Sequence, residues 1–287
     1  MKIWIQEGNM QKISSIEEIR TIRKSLHKPV GFVPTMGYLH EGHLMLVKKA
    51  RQECASVFVS IFVNPTQFGA HEDLTKYPRD LERDFRALEN EGVDVVWTPD
   101  NSMMYPAGYD TWVNIESVSK TLEGEIRPGH FQGVATVVAK LFNVVQPDKA
   151  YFGQKDAQQA WIIKKMVKDL DFNIDIHIEP TVREADGLAM SSRNVYLNAE
   201  ERSAAPRIYE GMHKALRAFS RDEVSAERLI KIVVNHLKEN HLFTVQYVKI
   251  VHPESFEPVS TAFDGCLLLV AAKLGSTRLI DNIILIK

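Results

Sequence analysis

Residues 30–63 read VGFVPTMGYLHEGHLMLVKKARQECASVFVSIFV, and this stretch decides the fold of the first half of the chain. Residues 30–35, which Pro29 and Pro34 bound, predict a strand, and 43–53 carry apolar residues at helical spacing. Residues 56–63 are rich in β-branched and aromatic side chains, as expected of a strand that is covered on both faces. Strand, glycine-containing turn, helix and strand make a βαβ unit, and the letters HEGH stand where its helix begins.

The alternation of strand and helix extends on both sides of this unit. A capping box at Ser15 predicts a short helix that ends near His27. Beyond residue 63 we predict helices at 79–91, 133–145 and 156–170, and strands at 93–98, 149–153 and 173–179. This order predicts a Rossmann-like, doubly wound parallel sheet, whose ligands bind beyond the carboxyl ends of the strands.

The pattern changes after Pro180. Two predicted helices, 199–219 and 225–239, precede strands at 244–251, 267–274 and 277–286. This is α+β order, so we place a domain boundary near residue 180. Residues 1–180 are expected to form the Rossmann-like domain and residues 181–287 a smaller α+β domain.

Composition excludes several classes of function. The formal net charge of -2 gives no basic footprint for a nucleic acid or an anionic membrane. The two cysteines, Cys54 and Cys266, show no zinc spacing and suit a reducing compartment. The first thirty residues lack the apolar core of a signal peptide, and no apolar run is long enough to span a membrane. We therefore expect a cytoplasmic protein that binds neither a nucleic acid nor a membrane.

The turn with the HEGH letters favours phosphate binding. A helix N-terminus presents unpaired N–H groups and a partial positive charge, which attract phosphate. Gly37 and Gly42 allow backbone to approach a bulky ligand, and His40 and His43 add hydrogen-bond donors. The alternative is a metal site, because His-x-x-His on a helix can chelate. It would need a third ligand, and no acid or cysteine stands in an obvious position for that role.

This turn resembles the HxGH signature of the nucleotidyltransferase superfamily, which includes the class I aminoacyl-tRNA synthetases. In that superfamily the motif binds a nucleoside triphosphate and stabilises the transition state at its α-phosphorus. A second phosphate-binding element usually follows a later strand. Residues 187–197, GLAMSSRNVYL, fit that element, with two hydroxyls and one guanidinium in Ser191, Ser192 and Arg193. In isolation an SSR sequence in a loop means little.

Together with further blocks of sequence, this turn and the SSR segment resemble the pantoate–β-alanine ligases, the pantothenate synthetase family. The blocks follow in order from 30 to 200 and are PTMGYLHEGH (34–43), FVNPTQF (62–68), YPRDLERD (77–84), RPGHFQGVATVVAKLF (127–142), FGQKDAQQ (152–159) and VREADGLAMSSRNVYL (182–197). The resemblance implies an enzyme that condenses pantoate with β-alanine and converts ATP to AMP and pyrophosphate through a pantoyl adenylate. It also implies Mg²⁺ held mainly by the ATP phosphates, with no direct protein ligand, and a homodimer. Residues 1–180 would bind ATP and pantoate, and residues 181–287 would close over the nucleotide.

The resemblance also implies the roles of individual residues. The catalytic group would contain His40, His43, Lys155 and Arg193, and Gln67 and Gln159 would bind pantoate, with Gln67 also near β-alanine. His40 would act either as a proton donor or as a charge stabiliser. The ATP-binding residues would be Val33, Pro34, Thr35, Met36, Gly37, Tyr38, Leu39, His40, Gly153, Gln154, Lys155, Asp156, Val182, Met190, Ser191, Ser192 and Arg193.

Other positions stay open at this stage. Arg127 could clamp the carboxylate of either acid. Asp73, Asp80 and Asp84 either reach Mg²⁺ through water or are surface charges of a helix. Tyr38 replaces the smaller side chains that are familiar in the family, and Gln154 stands where an acid is often found.

Three rival functions remain compatible with an HxGH turn. A cytidylyl- or adenylyltransferase would leave the nucleotide on its product. A tRNA-binding protein would bind RNA in a salt-sensitive way, which the near-neutral charge disfavours. A nucleotide sensor would bind ATP without turnover.

Overall fold

The computed structural model describes residues 10–69 and 72–287, which divide into two compact units. The first unit contains the described residues up to Gly153 together with Ile162–Glu179. The second contains Gln154–Trp161 and Pro180–Lys287. The functional division that we place at residue 180 stays a prediction.

The first unit is built on a six-stranded parallel sheet with the order β1-β4-β3-β2-β5-β6. Its strands are β1 (Gln11–Ile13), β2 (Val30–Thr35), β3 (Ser56–Ile61), β4 (Val95–Trp97), β5 (Lys149–Gly153) and β6 (Asp175–Glu179). The helices of this part of the chain are α1 (Ile16–Arg23), α2 (Glu41–Glu53), α3 (Leu81–Asn90), α4 (Asn101–Met104), α5 (Glu123–Ile126), α6 (His130–Val145) and α7 (Ala157–Asp169). Helix α7 begins in the second unit and continues into the first.

The strand order contains a topological switch point between β2 and β5. The chain runs outward from β2 through β3 to β4 on one side, and from β5 to β6 on the other. All six residues of β3 are buried, as the sequence predicts for a strand that is covered on both faces. Phe32 of β2 and Phe58 of β3 pack edge to face with ring centroids 5.9 Å apart. The predicted doubly wound sheet is therefore confirmed.

The second unit combines helices with an antiparallel sheet of three strands in the order β7-β8-β9. The elements are α8 (Ala199–Ala204), α9 (Arg207–Phe219), α10 (Ala226–Lys238), β7 (Phe243–Val251), β8 (Leu267–Leu274) and β9 (Thr277–Ile284). Buried side chains of α9, α10 and β8 form one apolar cluster. The predicted α+β order is confirmed.

Several predicted boundaries were wrong. The helix predicted at 199–219 is two helices, because Pro206 has no N–H to donate to the preceding turn. The helix predicted from residue 43 begins at Glu41, since His40 caps it. The helix predicted to end near His27 ends at Arg23, and β1 was not predicted. Within residues 10–69 and 72–287, no helix is both long enough and apolar enough to cross a membrane.

Candidate active site

The turn that follows β2 has a backbone shape that requires glycine. Val33, Pro34 and Thr35 end the strand, and Gly37 then takes a φ of +81°. A Cβ atom at Gly37 would lie 2.9 Å from Cγ2 of Ile61 and 3.1 Å from a carboxylate oxygen of Asp84. Both the dihedral angle and the close packing exclude a larger residue. The turn is therefore held in one conformation before the helix begins.

Asp84 holds this turn from helix α3. Its carboxylate accepts hydrogen bonds from the N–H of Tyr38 at 2.7 Å and from the N–H of Leu39 at 2.8 Å. Its exposed fraction is 1%. Burial raises the pKa of Asp84, while the two backbone hydrogen bonds oppose the rise. The expectation that Asp84 is a surface charge was therefore wrong, since its carboxylate is buried and accepts from the backbone. The alternative, a water-mediated contact with Mg²⁺, stays a prediction.

The two other acids of that stretch have different surroundings. Asp80 caps α3 by accepting from the N–H of Arg83 at 3.1 Å, and Asp73 lies in a turn that precedes the helix. Arg83 itself donates to the carbonyl of Leu39 at 2.8 Å and lies over the ring of Tyr38 at 4.7 Å. Helix α3 thus braces the turn through both a carboxylate and a guanidinium.

His40 and His43 cap the start of α2 reciprocally. Nδ1 of His40 accepts from the N–H of Gly42 at 3.2 Å, and Nδ1 of His43 accepts from the N–H of His40 at 3.3 Å. The ring centroids are 4.0 Å apart. Because each Nδ1 atom accepts, the neutral form of each ring carries its proton on Nε2. The pair therefore orients two Nε2–H donors from the N-terminus of a helix that follows the strand at the switch point.

Gln67 lies in the loop that follows β3, in contact with the HxGH turn. It is buried, and its Nε2 atom lies 2.9 Å from the sulfur of Met36. Its Oε1 atom accepts from Nδ2 of Asn64 at 3.2 Å, and Asn64 also donates to the carbonyl of Gly133 at 3.1 Å. A Cβ at Gly133 would lie 2.4 Å from the carbonyl oxygen of Thr66, so only glycine lets α6 approach this loop. The structure thus brings Gln67 and the turn after β2 together.

Arg127 has a carboxylate partner within the chain. It donates to Glu72 through Nε at 2.7 Å and through Nη2 at 2.6 Å, in a bidentate ion pair. Its Nη2 atom also lies 3.3 Å from the carbonyl oxygen of Gln67. The sequence left open whether Arg127 binds the carboxylate of pantoate or that of β-alanine. In the structure its guanidinium pairs with Glu72, and a contact with either acid stays a prediction.

His130 joins this network beside Arg127. Nδ1 of His130 lies 2.8 Å from the carbonyl oxygen of Gln67, which only accepts, so Nδ1 carries the proton. Nε2 then accepts from Arg127 at 3.0 Å. Burial lowers the pKa of His130 to about 4, and the neighbouring charge of Arg127 contributes to the drop. A neutral His130 is therefore part of what fixes the loop that carries Gln67.

Lys155, the lysine predicted to be catalytic, lies in the second unit. It belongs to a 3-10 turn, Gln154–Asp156, that directly follows β5. Nζ of Lys155 lies 3.7 Å from Asp156, and its side chain is 20% exposed. Gln154 donates from Nε2 to Oδ1 of Asn282 at 3.0 Å. The other predicted pantoate-binding residue, Gln159, is partly buried near the start of α7.

The loop with the predicted second phosphate-binding element folds back on itself. Met190 donates its N–H to the carbonyl of Val182 at 3.0 Å, which joins two predicted ATP-binding residues. Ser191 caps the 3-10 helix Ser192–Tyr196 by accepting from the N–H of Arg193 at 3.3 Å, and Ser192 is buried. The three residues of the SSR sequence therefore lie together at the start of one short helix.

An ion pair fixes this loop against β9. Arg183 donates to both oxygens of Asp281, at 2.5 and 2.9 Å, and to the carbonyl of Gly187 at 3.1 Å. The guanidinium also lies 3.9 Å from the ring centre of Tyr209. Gly187 has a φ of +92°, and a Cβ there would overlap the ring of Tyr209. Burial raises the pKa of Asp281, and the guanidinium opposes that rise.

Metal binding is the alternative use of the two histidines. Among residues 10–69 and 72–287, no three His, Cys, Asp or Glu side chains are grouped so that they could hold a metal ion. Both Nδ1 atoms of the histidine pair accept backbone hydrogen bonds. The geometry therefore favours the phosphate interpretation of the HxGH turn over the metal interpretation.

Several residues that hold the turns and loops of the candidate active site were not predicted from the sequence. Asn64 and His130 lay inside recognised blocks but were not singled out, and Glu72, Asp281 and Asn282 were not considered. Adjacent polar residues inside an otherwise apolar strand, as in LIDNIIL at 279–285, were the available signal for the last two. Buried polar side chains require partners, so such a pair points to a fixed contact.

A doubly wound parallel sheet with a histidine-capped helix after the strand at its switch point defines an α/β protein of the HxGH nucleotidyltransferase kind. Comparison with known proteins narrows this class. The sequence model of the pantoate-beta-alanine ligase family matches residues 9–284. The chain therefore belongs to the pantoate–β-alanine ligase family, whose members are carbon–nitrogen ligases.

Individual relatives agree with this assignment. The pantothenate synthetase of Herpetosiphon aurantiacus is 50% identical over 277 residues, which cover 96% of this chain and 100% of the relative. That of Thermoanaerobacter pseudethanolicus is 52% identical over 273 residues, covering 95% of this chain and 96% of the relative. The crystal structure of pantothenate synthetase from Thermus thermophilus is 46% identical with a TM-score of 0.92, covering 97% of this chain and 100% of that one.

One similar structure contains ligands. The pantoate-beta-alanine ligase of Francisella tularensis was solved in complex with beta-gamma ATP and beta-alanine. It is 36% identical to this chain with a TM-score of 0.79, and the match covers 96% of this chain and 98% of that one.

Proposed function

We propose that this chain condenses pantoate with β-alanine, and that it does so by way of a pantoyl adenylate. The observation that carries the proposal is the family match over residues 9–284, which includes the HxGH turn with its two oriented imidazoles. A carboxylate is a poor acyl donor because its oxide leaves badly, so the reaction needs ATP to make a better leaving group.

The proposed reaction has two steps. In the first, a carboxylate oxygen of pantoate attacks the α-phosphorus of ATP, and the bond from that phosphorus to the β-phosphate oxygen breaks to release pyrophosphate. In the second, the amine of β-alanine attacks the acyl carbon, the bond to the AMP oxygen breaks, and the nitrogen loses a proton. Negative charge develops on the phosphate oxygens in the first step, so fixed donors there accelerate it.

His40 and His43 are proposed to supply such donors. Because each Nδ1 atom already accepts a backbone hydrogen bond, a neutral ring can donate from Nε2 to a phosphate oxygen. This arrangement favours a charge-stabilising role of His40 over a role as proton donor. The residues 33–40 would lie along the nucleotide, where the helix N-terminus adds its own partial charge.

Residues of the second unit are proposed to bind the remainder of the nucleotide. Lys155 would contact the triphosphate as a mobile point charge, together with the backbone of Gly153 through Asp156. Ser191, Ser192 and Arg193 would donate to the phosphates from the start of their short helix. Val182 would contact adenine through its backbone, and Met190 would lie beside the phosphates.

Gln67 and Gln159 are proposed to bind pantoate. An amide offers both a donor and an acceptor, which suits a substrate with hydroxyls and a carboxylate. The Nε2 atom of Gln67 contacts the sulfur of Met36, which is a weak acceptor. Exchange of that contact for a substrate oxygen would therefore favour binding.

Mg²⁺ is proposed to arrive bound to the ATP phosphates. Mg²⁺ dehydrates reluctantly and keeps several of its waters, so phosphate oxygens and waters would complete its coordination without a direct protein ligand. It would neutralise charge on the leaving pyrophosphate.

We also propose a cytoplasmic homodimer. The free thiols of Cys54 and Cys266 suit a reducing compartment. Exposed apolar side chains of the first unit, among them Trp112 at 43% and Ile126 at 38%, could be covered by a second copy. Sedimentation equilibrium would test the proposed homodimer, and a concentration-independent monomer mass would contradict it.

Incubation of the chain with ATP, Mg²⁺, pantoate and β-alanine tests the proposed function. We expect AMP, pyrophosphate and pantothenate in equal amounts, with exchange of labelled pyrophosphate into ATP when pantoate alone is added. Absence of AMP with both acids present would contradict the proposal. A product that retains the nucleotide would support the rival adenylyltransferase function instead.

A further inference from the structure

The side chain of Asn282 in β9 directs all of its polar atoms at the turn that carries Lys155. Its Nδ2 atom donates to the carbonyl of Gln154 at 2.9 Å and to the carbonyl of Lys155 at 3.0 Å. Its Oδ1 atom accepts from Nε2 of Gln154 at 3.0 Å. All of these atoms belong to the second unit. One amide therefore makes three hydrogen bonds to two consecutive residues.

The two carbonyls that Asn282 binds belong to the two peptide groups on either side of the Cα atom of Lys155. Because each peptide group is planar, fixing both carbonyls fixes the φ and ψ angles of Lys155. These angles set the direction of its Cα–Cβ bond. Asn282 thereby sets the origin from which a long and flexible side chain extends.

The surroundings of Asn282 suit this task. It is 3% exposed, so water competes little for its hydrogen bonds. It lies in the last strand of the sheet, where it pairs with Leu269 of β8 in an unbroken antiparallel register. A functional side chain is held more accurately by a rigid strand than by a loop.

We propose that Asn282 is a positioning residue for Lys155, and that the rate of adenylate formation depends on it. The proposal rests on the proposed phosphate contact of Lys155. Asn282 acts through the backbone of its target and needs no contact with the substrates.

A double-mutant cycle tests the proposal with four proteins: the wild type, Asn282→Ala, Lys155→Ala and the double variant. The measurement is pantoate-dependent exchange of pyrophosphate into ATP. We expect Asn282→Ala to lower the rate by about 100-fold, since misplacement of a reacting group by about 1 Å costs that much. We expect the same substitution to have no further effect when Lys155 is already alanine, because residues that act as one unit are not additive.

A matched control separates positioning from general stability. Leu279 lies in the same strand and in the apolar core of the second unit. Leu279→Ala should lower the melting temperature at least as much as Asn282→Ala and keep a rate near that of the wild type. Amide hydrogen exchange should rise in peptide 154–161 for Asn282→Ala and stay unchanged there for Leu279→Ala.

A second variant covers the case in which Asn282→Ala does not fold. Asn282→Asp keeps the shape and the acceptor for Gln154, but it places a carboxylate oxygen against the carbonyls of Gln154 and Lys155. It should show the same loss of rate and the same lack of additivity with Lys155→Ala.

The outcomes separate this inference from the proposed function. An inactive wild type would overturn the proposed function itself. An active wild type with a slow Lys155→Ala, beside an Asn282→Ala or Asn282→Asp at the wild-type rate, would overturn only the inference. Additive losses in the cycle would overturn it as well, because Asn282 would then act independently of Lys155.

Discussion

Each unit fixes a glycine-containing turn with a buried aspartate, but Asp84 and Asp281 do so through different contacts. Asp84 accepts directly from two backbone N–H groups next to Gly37. Asp281 instead holds Arg183, which donates to the carbonyl of Gly187. A turn with buried N–H groups can donate directly to a carboxylate. A turn with a buried carbonyl cannot, because both groups are acceptors, so a donor such as a guanidinium must lie between the carbonyl and the carboxylate.

The difference has an energetic consequence. A carboxylate that accepts only from backbone leaves no buried cation behind when it is neutralised. A carboxylate paired with a guanidinium leaves an uncompensated charge, since the side chain of Arg183 is only 15% exposed. The second turn should therefore be more sensitive to the same substitution than the first.

Asp281→Asn is the strongest test of this comparison. Removal of one partner from a buried ion pair costs about 3–5 kcal/mol. We expect a loss of that size in the unfolding free energy of the second unit, measured by urea denaturation. Asp222→Asn is the control, because its ion pair with Lys287 lies in the same unit and its side chain is 86% exposed. The control should leave the unfolding free energy almost unchanged, because exposed ion pairs contribute little, and equal losses in the two variants would contradict the comparison.

His40→Asn tests whether His40 contributes to the reaction rate beyond its role as the N-cap of helix α2. Asparagine is a good N-cap, so the start of α2 should stay intact. The variant loses the proposed Nε2–H donor, and removal of one such donor costs about 100- to 1000-fold in rate. Pyrophosphate exchange measures this loss, while retained ATP binding and melting temperature show that the fold persists. Turnover near that of the wild type would remove His40 from the proposed mechanism.

The HxGH turn was easier to predict from the sequence than the contact between Asn282 and the turn that carries Lys155. The histidine pair of the first turn was recognisable because its capping contacts are local: His40 and His43 bond to backbone within three residues, and strand and helix periods flank them. The hydrogen bonds that Asp84 accepts from this turn span 45 residues or more and were not predicted. The parallel sheet followed from the same periodicity. The contact of Asn282 with Lys155 spans 127 residues and depends on the pairing of β9 within the second sheet. Such a contact is decided by tertiary packing, which local propensity does not encode.

Asp84→Asn tests the other half of the comparison. Asparagine keeps one acceptor and turns an NH₂ group toward one of the two N–H donors, which leaves that donor buried and unpaired. We expect a loss of about 1–3 kcal/mol in the unfolding free energy of the first unit. Asp80→Asn is the matched control in the same helix, because Asn and Asp cap helices equally well. A loss as large as that of Asp281→Asn would show that Asp84 depends on a charge partner after all.

His130 extends the comparison to a neutral donor. The loop at Gln67 points a carbonyl inward, and His130 and Arg127 donate to it. Burial lowers the pKa of His130 to about 4 from a reference value of 6.5. Between these values the unfolded chain binds a proton that the folded chain does not. This imidazole therefore makes stability fall as the pH falls through that window, and its effect is absent above 6.5.

His130→Asn isolates this effect, since asparagine keeps an N–H donor for the Gln67 carbonyl and does not titrate. We expect the unfolding free energy of the wild type to drop relative to the variant by up to about 1.4 kcal/mol per pH unit between pH 6.5 and about 4. Urea denaturation at several pH values measures the difference between the two proteins. A difference that stays constant over this pH window would mean that His130 takes up its proton at the same pH in the folded and the unfolded chain. Both donors to the Gln67 carbonyl, His130 and Arg127, would then be cations in that window.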